Sequence, residues 1–576
     1  MLRVSLANLK TLDHRLTPNS VGSEADKRIA SLLNPRNLGL RYIRNVELYK
    51  AEVEHECNQQ QQSDFAIRLL LEFLPEDSLD KFSWHPWRPF SSENLKLLYS
   101  KQKKMKWMEA IALDKSISKE FIRSLKLESA MQRCTKLGLY PDSRDTLQLA
   151  NELLKRLKKI EKITLHANFG DAEIEIPASE LQDTPTGPGL ITRSLFSHMM
   201  PFDKCTPITL RELTLQNVHV RFATDTYCRV IEFTSLKTFR LFNCLGADSL
   251  IAALCKSSNL PLALQSFEFK HDDDSSGETT TALNTFLALL SGLRRLFLDI
   301  SNAKAGPLAE AAVTRHANTL TELLVHSYEG DDPTDPEDDE HIFSNEEFVK
   351  ICTACTKLEQ ISIAFPPTPI SRMTDDYAMW ISAVASLPRL VTLNITTWPT
   401  NTPSSSRLPR KAYEWLLQGM AQEVFEASKS AAKQRKRDEI TKARKAAEGP
   451  IAAAAVAQAD ATEDSTSSST NQPSVFDQDL IVNTKITTIA FGTSDKIFER
   501  IDPKTCIVYM RGTLISPTAP TNPISAAVPV SWSLRKYEEN RSDVLDFALA
   551  RATRPPCREG IGGGSSLGGR GNDDGW

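Results

Sequence analysis

The stretch LRELTL at residues 210–215 belongs to a pattern that recurs along the chain. The same spacing of apolar residues returns as LKTFRL at 236–241, LQSFEF at 264–269, LRRLFL at 293–298 and LTELLV at 320–325. Successive copies begin 26, 28, 29 and 27 residues apart. A spacing this regular is typical of a protein built from structural repeats of one kind.

Each copy ends in three residues that alternate between apolar and variable, as Leu213, Thr214 and Leu215 do. Such alternation predicts a short strand with one face buried. The segments between copies show apolar residues at helical spacing, and the capping box at 344–347 marks a helix start. Periods of about 20–29 residues fit leucine-rich repeats, whose units bury their apolar faces by stacking. The sequence therefore predicts an α/β fold, a leucine-rich-repeat-like solenoid of short parallel strands and helices with irregular repeats.

Looser copies of the pattern extend the predicted solenoid in both directions. They lie at 40–48, 79–84 and 157–165 on the N-terminal side and at 358–363 and 390–395 on the C-terminal side. The solenoid is therefore expected to cover residues 1–400, with its most regular part at 205–330. The alternative is a set of unrelated α/β segments, because the pattern also occurs by chance in Leu-rich chains.

Composition changes after the repeats. Residues 401–449 predict a long basic helix, and the segment 450–475, rich in Ala, Ser and Thr, predicts a disordered linker. Residues 476–555 contain strand patterns that are expected to cap the sheet. The Gly-rich residues 556–576 predict a flexible tail.

Bulk composition narrows the classes of function. The 576 residues carry a net charge of -4, so the chain as a whole is not drawn to nucleic acid or to an anionic membrane. The first residues have no apolar signal-peptide core, and no run of 18 apolar residues predicts a membrane span. Ten scattered cysteines are typical of a reducing compartment. We expect the cytoplasm, the nucleus or both.

Motifs that carry chemistry are scarce. CTAC at 352–355 is the one CxxC, and it lies on the apolar face of a predicted helix without the second pair that zinc needs. Core packing is therefore favoured for both cysteines. H-E-x-x-H, G-x-S-x-G and G-x-x-x-x-G-K-[ST] do not occur. We expect no enzyme, no catalytic residue, no metal site and no cofactor.

Two charge runs each allow two interpretations. The acidic run DDPTDPEDDE at 331–340 is either a solvated loop or a contact for a basic partner. The basic run within the long helix contains Lys433, Arg435, Lys436 and Arg437. One interpretation is a solvated helix face. The other is a functional segment, either a nuclear localisation signal or a phosphate contact. A phosphate contact would make the protein nucleic-acid-associated through residues 429–445.

The residues between the buried strand positions would point into the concave face of a solenoid and form its binding surface. The partner-binding candidates are Arg240, Phe242, Glu268, Lys270, Arg295, Phe297, Asp299 and Trp87. Phe242 and Phe297 are expected to be exposed there, as in a protein-binding surface. Trp87 lies in the aromatic stretch 83–90, for which packing between repeats is the alternative.

Several stretches resemble the repeat region of fungal F-box and leucine-rich-repeat-like proteins. They are LGLRYIRNVEL at 38–48, LPEDSLDKFSW at 74–84, KWMEAIALD at 106–114, IAFGTSD at 489–495 and LDFA at 545–548. The resemblance implies that the repeats hold a protein substrate for a cullin-type ubiquitin ligase, reached through a Skp-type adaptor. No Leu-Pro-x-Glu helix of an F-box stands at the N-terminus. A free-standing interaction scaffold is therefore the alternative, and in both cases the partner is another protein.

Overall fold

The structure is a computed structural model of the chain. It describes residues 2–5, 42–49, 67–84, 90–111, 132–157, 159–167, 169, 180, 184, 187–273, 278–303, 308–329, 340–400, 408–456, 484–492, 506–516, 519–530 and 544–545. Trp87, the acidic residues 331–339, most of the predicted linker and the tail 556–576 lie outside these ranges.

The described chain alternates short strands with helices. The strands are β1 (Leu2–Ser5), β2 (Asn45–Tyr49), β3 (Lys81–Trp84), β4 (Trp107–Ile111), β5 (Lys136–Tyr140), β6 (Lys162–His166), β7 (Ile208–Thr209), β8 (Glu212–Gln216), β9 (Ile231–Glu232), β10 (Thr238–Phe242), β11 (Ser266–Asp272), β12 (Arg295–Ser301), β13 (Glu322–Ser327), β14 (Gln360–Ile363), β15 (Thr392–Ile395), β16 (Thr488–Phe491), β17 (Ile507–Ser516) and β18 (Ala519–Val530). The α-helices are α1 (Ser92–Lys101), α2 (Arg144–Arg156), α3 (Leu190–Leu195), α4 (Thr224–Val230), α5 (Ala247–Lys256), α6 (Thr279–Leu289), α7 (Glu310–Thr314), α8 (Asn345–Ala354), α9 (Asp375–Ala385) and α10 (Arg410–Val456).

One large sheet dominates the architecture. It has 13 strands in the order β4-β5-β6-β8-β10-β11-β12-β13-β14-β15-β16-β17-β18. Every pairing from β4 to β16 is parallel, and β17 and β18 add antiparallel strands at one edge. Strands β1, β2 and β3 form a separate parallel sheet. The expected mixed α/β fold with short parallel strands is confirmed.

Equivalent positions of the sequence pattern stand opposite one another across the sheet. Leu213 pairs with Phe239, and Phe239 pairs with Phe267 on the next strand. All three side chains are buried in one continuous apolar core. A slip of one residue would turn every such side chain to the other face, so burial of this row keeps the strands in register.

Helices cover that buried face of the sheet. Phe267 on β11 and Phe286 on α6 have ring centroids 5.1 Å apart, and Phe348 on α8 stacks on Trp380 of α9 at 3.7 Å. The predicted capping box at the start of α8 is confirmed, because Ser344 and Glu347 bond to each other's backbone N–H groups. The apolar face of each helix thus covers the apolar side chains that a strand could not bury alone.

Helix α10 is fastened to the antiparallel edge of the sheet. The side-chain amide of Gln418 donates to the carbonyl of Ala527 at 2.6 Å, and the Tyr509 hydroxyl donates to the carbonyl of Glu414 at 2.6 Å. The helix begins at Arg410 and ends at Val456, past the predicted end at residue 449. The extension passes through Gly449 and Pro450, which disfavour a helix interior, into the Ala-rich residues 451–455, which favour it.

Two features are absent from the described ranges. No helix there combines the length and the apolar character needed to cross a membrane. Within the same ranges, His, Cys, Asp and Glu side chains nowhere form a group of three or more that could hold a metal ion.

Candidate functional site

The strands have a second face, opposite the one that the helices cover. We define it by the strand residues that alternate with the core positions, such as Thr214 between the buried Leu213 and Leu215. Its first row contains the residues in register with Glu212, its middle row those in register with Thr214, and its last row those in register with Gln216. Every predicted partner-binding residue that the structure describes lies on this second face.

A ladder of alternating charges crosses six neighbouring strands of the second face, from β6 to β13. Its members in order are Lys162, Glu212, Arg240, Glu268, Arg295 and Glu322. The shortest separations are 2.7 Å from Lys162 to Glu212, 2.9 Å from Arg240 to Glu268 and 2.6 Å from Arg295 to Glu322. Opposite charges on adjacent strands stabilise a sheet, so the ladder fixes these side chains on one another.

The electrostatics of Glu212 illustrates how the ladder works. Burial alone would raise the pKa of this carboxyl, because desolvation disfavours the charged form. The hydrogen bond from Lys162 and the nearby charges of Lys162, Arg240 and Lys136 outweigh burial and lower the pKa. Glu212 therefore stays ionised as a bridge between Lys162 on one side and Arg240 on the other.

The last row ends in a buried polar cluster. His326 lies between two carboxylates, with Nδ1 3.5 Å from Oδ1 of Asp299 and Nε2 2.9 Å from Oε1 of Glu340. Lys270 reaches the same aspartate, at 3.9 Å from Oδ2. Asp299 and His326 are almost fully buried. The expectation that Asp299 lies on an open binding surface is wrong, because Asp299 is 2% exposed and its carboxylate lies against His326 and Lys270.

Phe297 lies on the second face as predicted, but the expectation that it is exposed is wrong. Its side chain is only 2% exposed. It belongs to a second apolar cluster, formed by Phe297, Leu324, Ala490, Cys506, Val508, Val544 and Leu545. The backbone N–H of Val544 also donates to the side-chain oxygen of Gln360 at 3.2 Å. The chain's own C-terminal part therefore fills this half of the second face.

Two buried polar residues within the filled half pair with each other. The side-chain amide of Asn394 donates to the Ser362 hydroxyl at 2.8 Å, and neither residue is exposed. A buried pair of this kind contributes to a core and not to a docking surface. Strands β12 to β16 thus bury side chains on both faces.

The other half of the second face, on β3 to β10, is lined by cationic and aromatic side chains. Trp107 on β4 lies between two lysines, with the Nζ atoms of Lys81 and Lys162 at 5.2 Å and 5.1 Å from its ring centroid. Tyr140 and His166 meet edge to face in the last row, at 6.0 Å between centroids. Apart from the buried Trp107, these side chains are half-buried. We call β3 to β10 the open half of the second face.

Sequence reasoning missed the lysine and tryptophan group. Its signal was present in the looser repeat copies, since Lys81 and Lys162 occupy the same place in the pattern as Glu212 does. Of the predicted residues, Phe242 is half-buried in the last row of the open half, while Arg240, Glu268 and Arg295 are engaged in the ladder.

The basic helix divides at Arg435. The Arg435 guanidinium donates to the carbonyl of Ser386 at 2.7 Å and to that of Ala385 at 3.4 Å, at the C-terminal end of α9. Lys433 is half-buried, whereas Lys436 and Arg437 are exposed. The four predicted residues therefore do not act as one cationic surface, because two of them pack toward the body of the protein.

The two cysteines of the CxxC are buried, as the sequence predicts. Burial raises the pKa of the Cys355 thiol to about 12 and raises that of Cys352 as well. A nucleophilic or metal-binding cysteine requires the opposite shift, toward the thiolate. This pair is therefore chemically suited to packing.

Comparison with known proteins adds no relative: no family model matches the chain, and no curated protein matches it. The class that the structure itself defines is a mixed α/β protein with a large, mostly parallel sheet. Its candidate site is the open half of the second face, where neighbouring strands align cationic and aromatic side chains.

Proposed function

We propose that this chain is a leucine-rich-repeat-like solenoid that acts as a protein-interaction module, and that its partner docks on the open half of the second face. The observation that carries the proposal is the division of that face. Strands β12 to β16 bury their second-face residues under the chain's own C-terminal part, while strands β3 to β10 present lysines and aromatic residues.

The solenoid is supported by conformations that return at equivalent positions. Asn217 directly follows β8 and Asn243 directly follows β10, and both adopt the left-handed conformation, with φ of 53° and 50°. Asparagine tolerates this conformation better than most residues do. The backbone N–H of each bonds across to the next strand, to Phe242 and Lys270 respectively. A turn repeated in this way favours one structural unit stacked many times.

The partner class is argued from the chemistry of the open half. Aromatic residues are enriched at protein-binding surfaces, and charged residues such as these half-buried lysines belong to the polar rim of such surfaces and not to their core. Substrate recognition in a cullin-type ubiquitin ligase is the specific form that the resemblance to fungal F-box and leucine-rich-repeat-like proteins implies. A free-standing scaffold is the alternative, and both place a protein on this surface.

Nucleic-acid binding through residues 429–445 is the weaker proposal. Arg435 is committed to two backbone carbonyls, and the exposed acids Asp438 and Glu439 directly follow Arg437. A phosphate backbone is held by cations that are not offset in this way.

The test is capture of partners from native extract by the full chain, with a matched pair of variants. The site variant carries Lys136→Glu and Tyr140→Ala, and the control carries Lys256→Glu at the exposed end of α5. We expect a partner that the wild type and the control capture and the site variant loses. Recovery of a Skp-type adaptor and a cullin with it identifies the ligase role, and a partner without them identifies the scaffold. Equal capture by all three proteins would overturn the proposal.

A further inference from the structure

We infer that the open half of the second face binds a short, extended, acidic peptide segment of the partner, with Lys136 and Lys162 as the cations that receive its carboxylates. The inference rests on the proposed function and names the partner chemistry of the same site. It follows from where the charges of strands β3 to β6 lie.

The first row of these strands is cationic. From β4 to β6 it reads Trp107, Lys136 and Lys162, and Lys81 of β3 lies beside it with its Nζ 5.2 Å from the Trp107 ring centroid. Lys162 and the ladder residues from Glu212 to Glu322 balance one another with three cations and three acids, so Lys136 adds an unbalanced positive charge to the first row.

Lys136 and Lys162 differ in how their charges are offset. Lys162 has Glu212 at 2.7 Å, while Lys136 has no ion-pair partner among the side chains that the structure describes. Burial lowers the pKa of Lys162, the bond to Glu212 opposes that effect, and the charges of Arg240 and Lys136 lower the pKa further. A carboxylate bound here would relieve the repulsion between these cations.

Geometry suits two carboxylates of one extended segment. Lys136 and Lys162 face each other in register on adjacent strands, which lie about 4.8 Å apart. Alternate side chains of an extended peptide are roughly 7 Å apart on one side. The flexible lysine stems span the difference, so an acid at one position and another two residues later can each meet one ammonium group.

A nucleic acid fits this surface less well than a peptide does. The ring of Trp107 is 8% exposed and already has two lysine Nζ atoms beside it, so it offers no platform for a stacked base. A polyphosphate following the sheet beyond β6 would also meet Glu212. A short acidic segment needs no stacking platform, and it can end at Lys162, so that it approaches Glu212 at one end only.

The experiment is selection from a random library of displayed 12-residue peptides on the full-length chain, at low and at high salt. We expect enrichment of peptides with at least two Asp or Glu residues, and loss of that enrichment at high salt. An enriched peptide is then measured by fluorescence anisotropy beside its Gln and Asn counterpart. The counterpart should bind about tenfold more weakly or worse, as expected for lost hydrogen bonds to charged groups.

Variants assign the binding to the two lysines. Lys136→Gln should weaken the acidic peptide about tenfold, and it leaves the Lys162 to Glu212 pair in place, so the fold is preserved. Lys162→Met keeps an apolar stem beside Trp107 and should weaken the peptide to a similar degree. Lys256→Gln, on the other side of the molecule, should leave its affinity unchanged.

Three outcomes would each overturn the inference. The selected peptides could lack enriched acids, or acidic peptides could bind Lys136→Gln as tightly as the wild type. A single-stranded oligonucleotide could also bind the face more tightly than the peptides do. The proposed function is judged separately. A partner lost by the Lys136→Glu and Tyr140→Ala variant, without acidic enrichment, would end the inference and leave the interaction module standing. Unchanged partner capture would end the proposed function itself.

Discussion

The backbone N–H of Val544 donates a hydrogen bond to the side-chain oxygen of Gln360, 184 residues earlier in the chain, at 3.2 Å. Gln360 lies in the first row of the second face, and Val544 and the adjacent Leu545 are fully buried in the apolar cluster that contains Phe297 and Leu324. The C-terminal part of the chain thus covers this part of the second face within the protein's own fold.

This arrangement predicts that Leu545 stabilises the fold. Leu545→Ala should lower the free energy of unfolding by about 2–3 kcal/mol, because a buried leucine loses its transfer free energy and leaves a cavity. Urea denaturation followed by circular dichroism measures the change. Leu262→Ala is the control, since Leu262 is 62% exposed and its truncation should change little. If both variants unfold at the same urea concentration, Leu545 is not part of the core.

The shared carboxylate of the charge ladder gives a second prediction. Glu268 accepts from Arg240 and lies 3.5 Å from Arg295, and its side chain is only 8% exposed. Glu268→Gln should lower the free energy of unfolding by about 2 kcal/mol, because two partly buried guanidinium groups lose their counter-charge. The exposed Glu346 provides the control as Glu346→Gln. Equal stability of the two variants would mean that the ladder contributes nothing.

Glu212 gives a prediction on pH dependence. Its folded pKa is below the ordinary value of 4.5, so it stabilises the fold above that pH, and the stabilisation is lost as pH falls through the folded pKa. The stability difference between wild type and Glu212→Gln should therefore shrink as pH is lowered from about 6 to about 3. Urea titrations across this range measure it. A difference that stays constant with pH would contradict the depressed pKa.

The sequence predicts the core better than it predicts the surface, for a physical reason. Alternation in LRELTL and in its copy LRRLFL is a local property of the sequence. It correctly assigns Leu213 and Leu215 to the core and places Phe297 on the other face. What covers that other face is not local. Residues 544–545 lie more than 240 positions beyond Phe297, and no repeat pattern connects them.

The lysine group was missed for a related reason. Insertions separate Lys81, Lys136 and Lys162 by more than 25 residues each, so only the fold brings them together. Strand register aligns Lys136 with Lys162, and Lys81 reaches the Trp107 ring from β3. The contact of Glu340 with His326 also depends on the fold. Glu340 closes an acidic run for which a solvated loop is one of the two interpretations from sequence.

Buried cysteines supply a prediction on reactivity. Burial raises the pKa of Cys355 and of Cys244 to about 12, so both should remain thiols at neutral pH. In the native protein, alkylation by iodoacetamide should leave Cys244, Cys352 and Cys355 unmodified, and mass spectrometry of peptides reports each site. The same reagent in concentrated guanidinium is the control, where all ten cysteines should react. Fast native alkylation of Cys352 or Cys355 would contradict their burial.

A variant of Arg435 distinguishes a structural role of this residue from a nucleic-acid contact. Its bonds to the carbonyls of Ala385 and Ser386 satisfy the C-terminal end of α9, where a positive charge is favoured. Arg435→Ala should lower the free energy of unfolding by about 1–2 kcal/mol, while Lys429→Ala, on the exposed side of α10, should change it little.

The same two variants also test the phosphate contact. The guanidinium of Arg435 is engaged with α9. Arg435→Ala should therefore leave the affinity for a single-stranded oligonucleotide unchanged, as measured by fluorescence anisotropy. Loss of oligonucleotide affinity in Arg435→Ala at unchanged stability would reverse the assignment. Arg435 would then be a phosphate ligand, and the hydrogen bonds to Ala385 and Ser386 would carry little of the fold's stability.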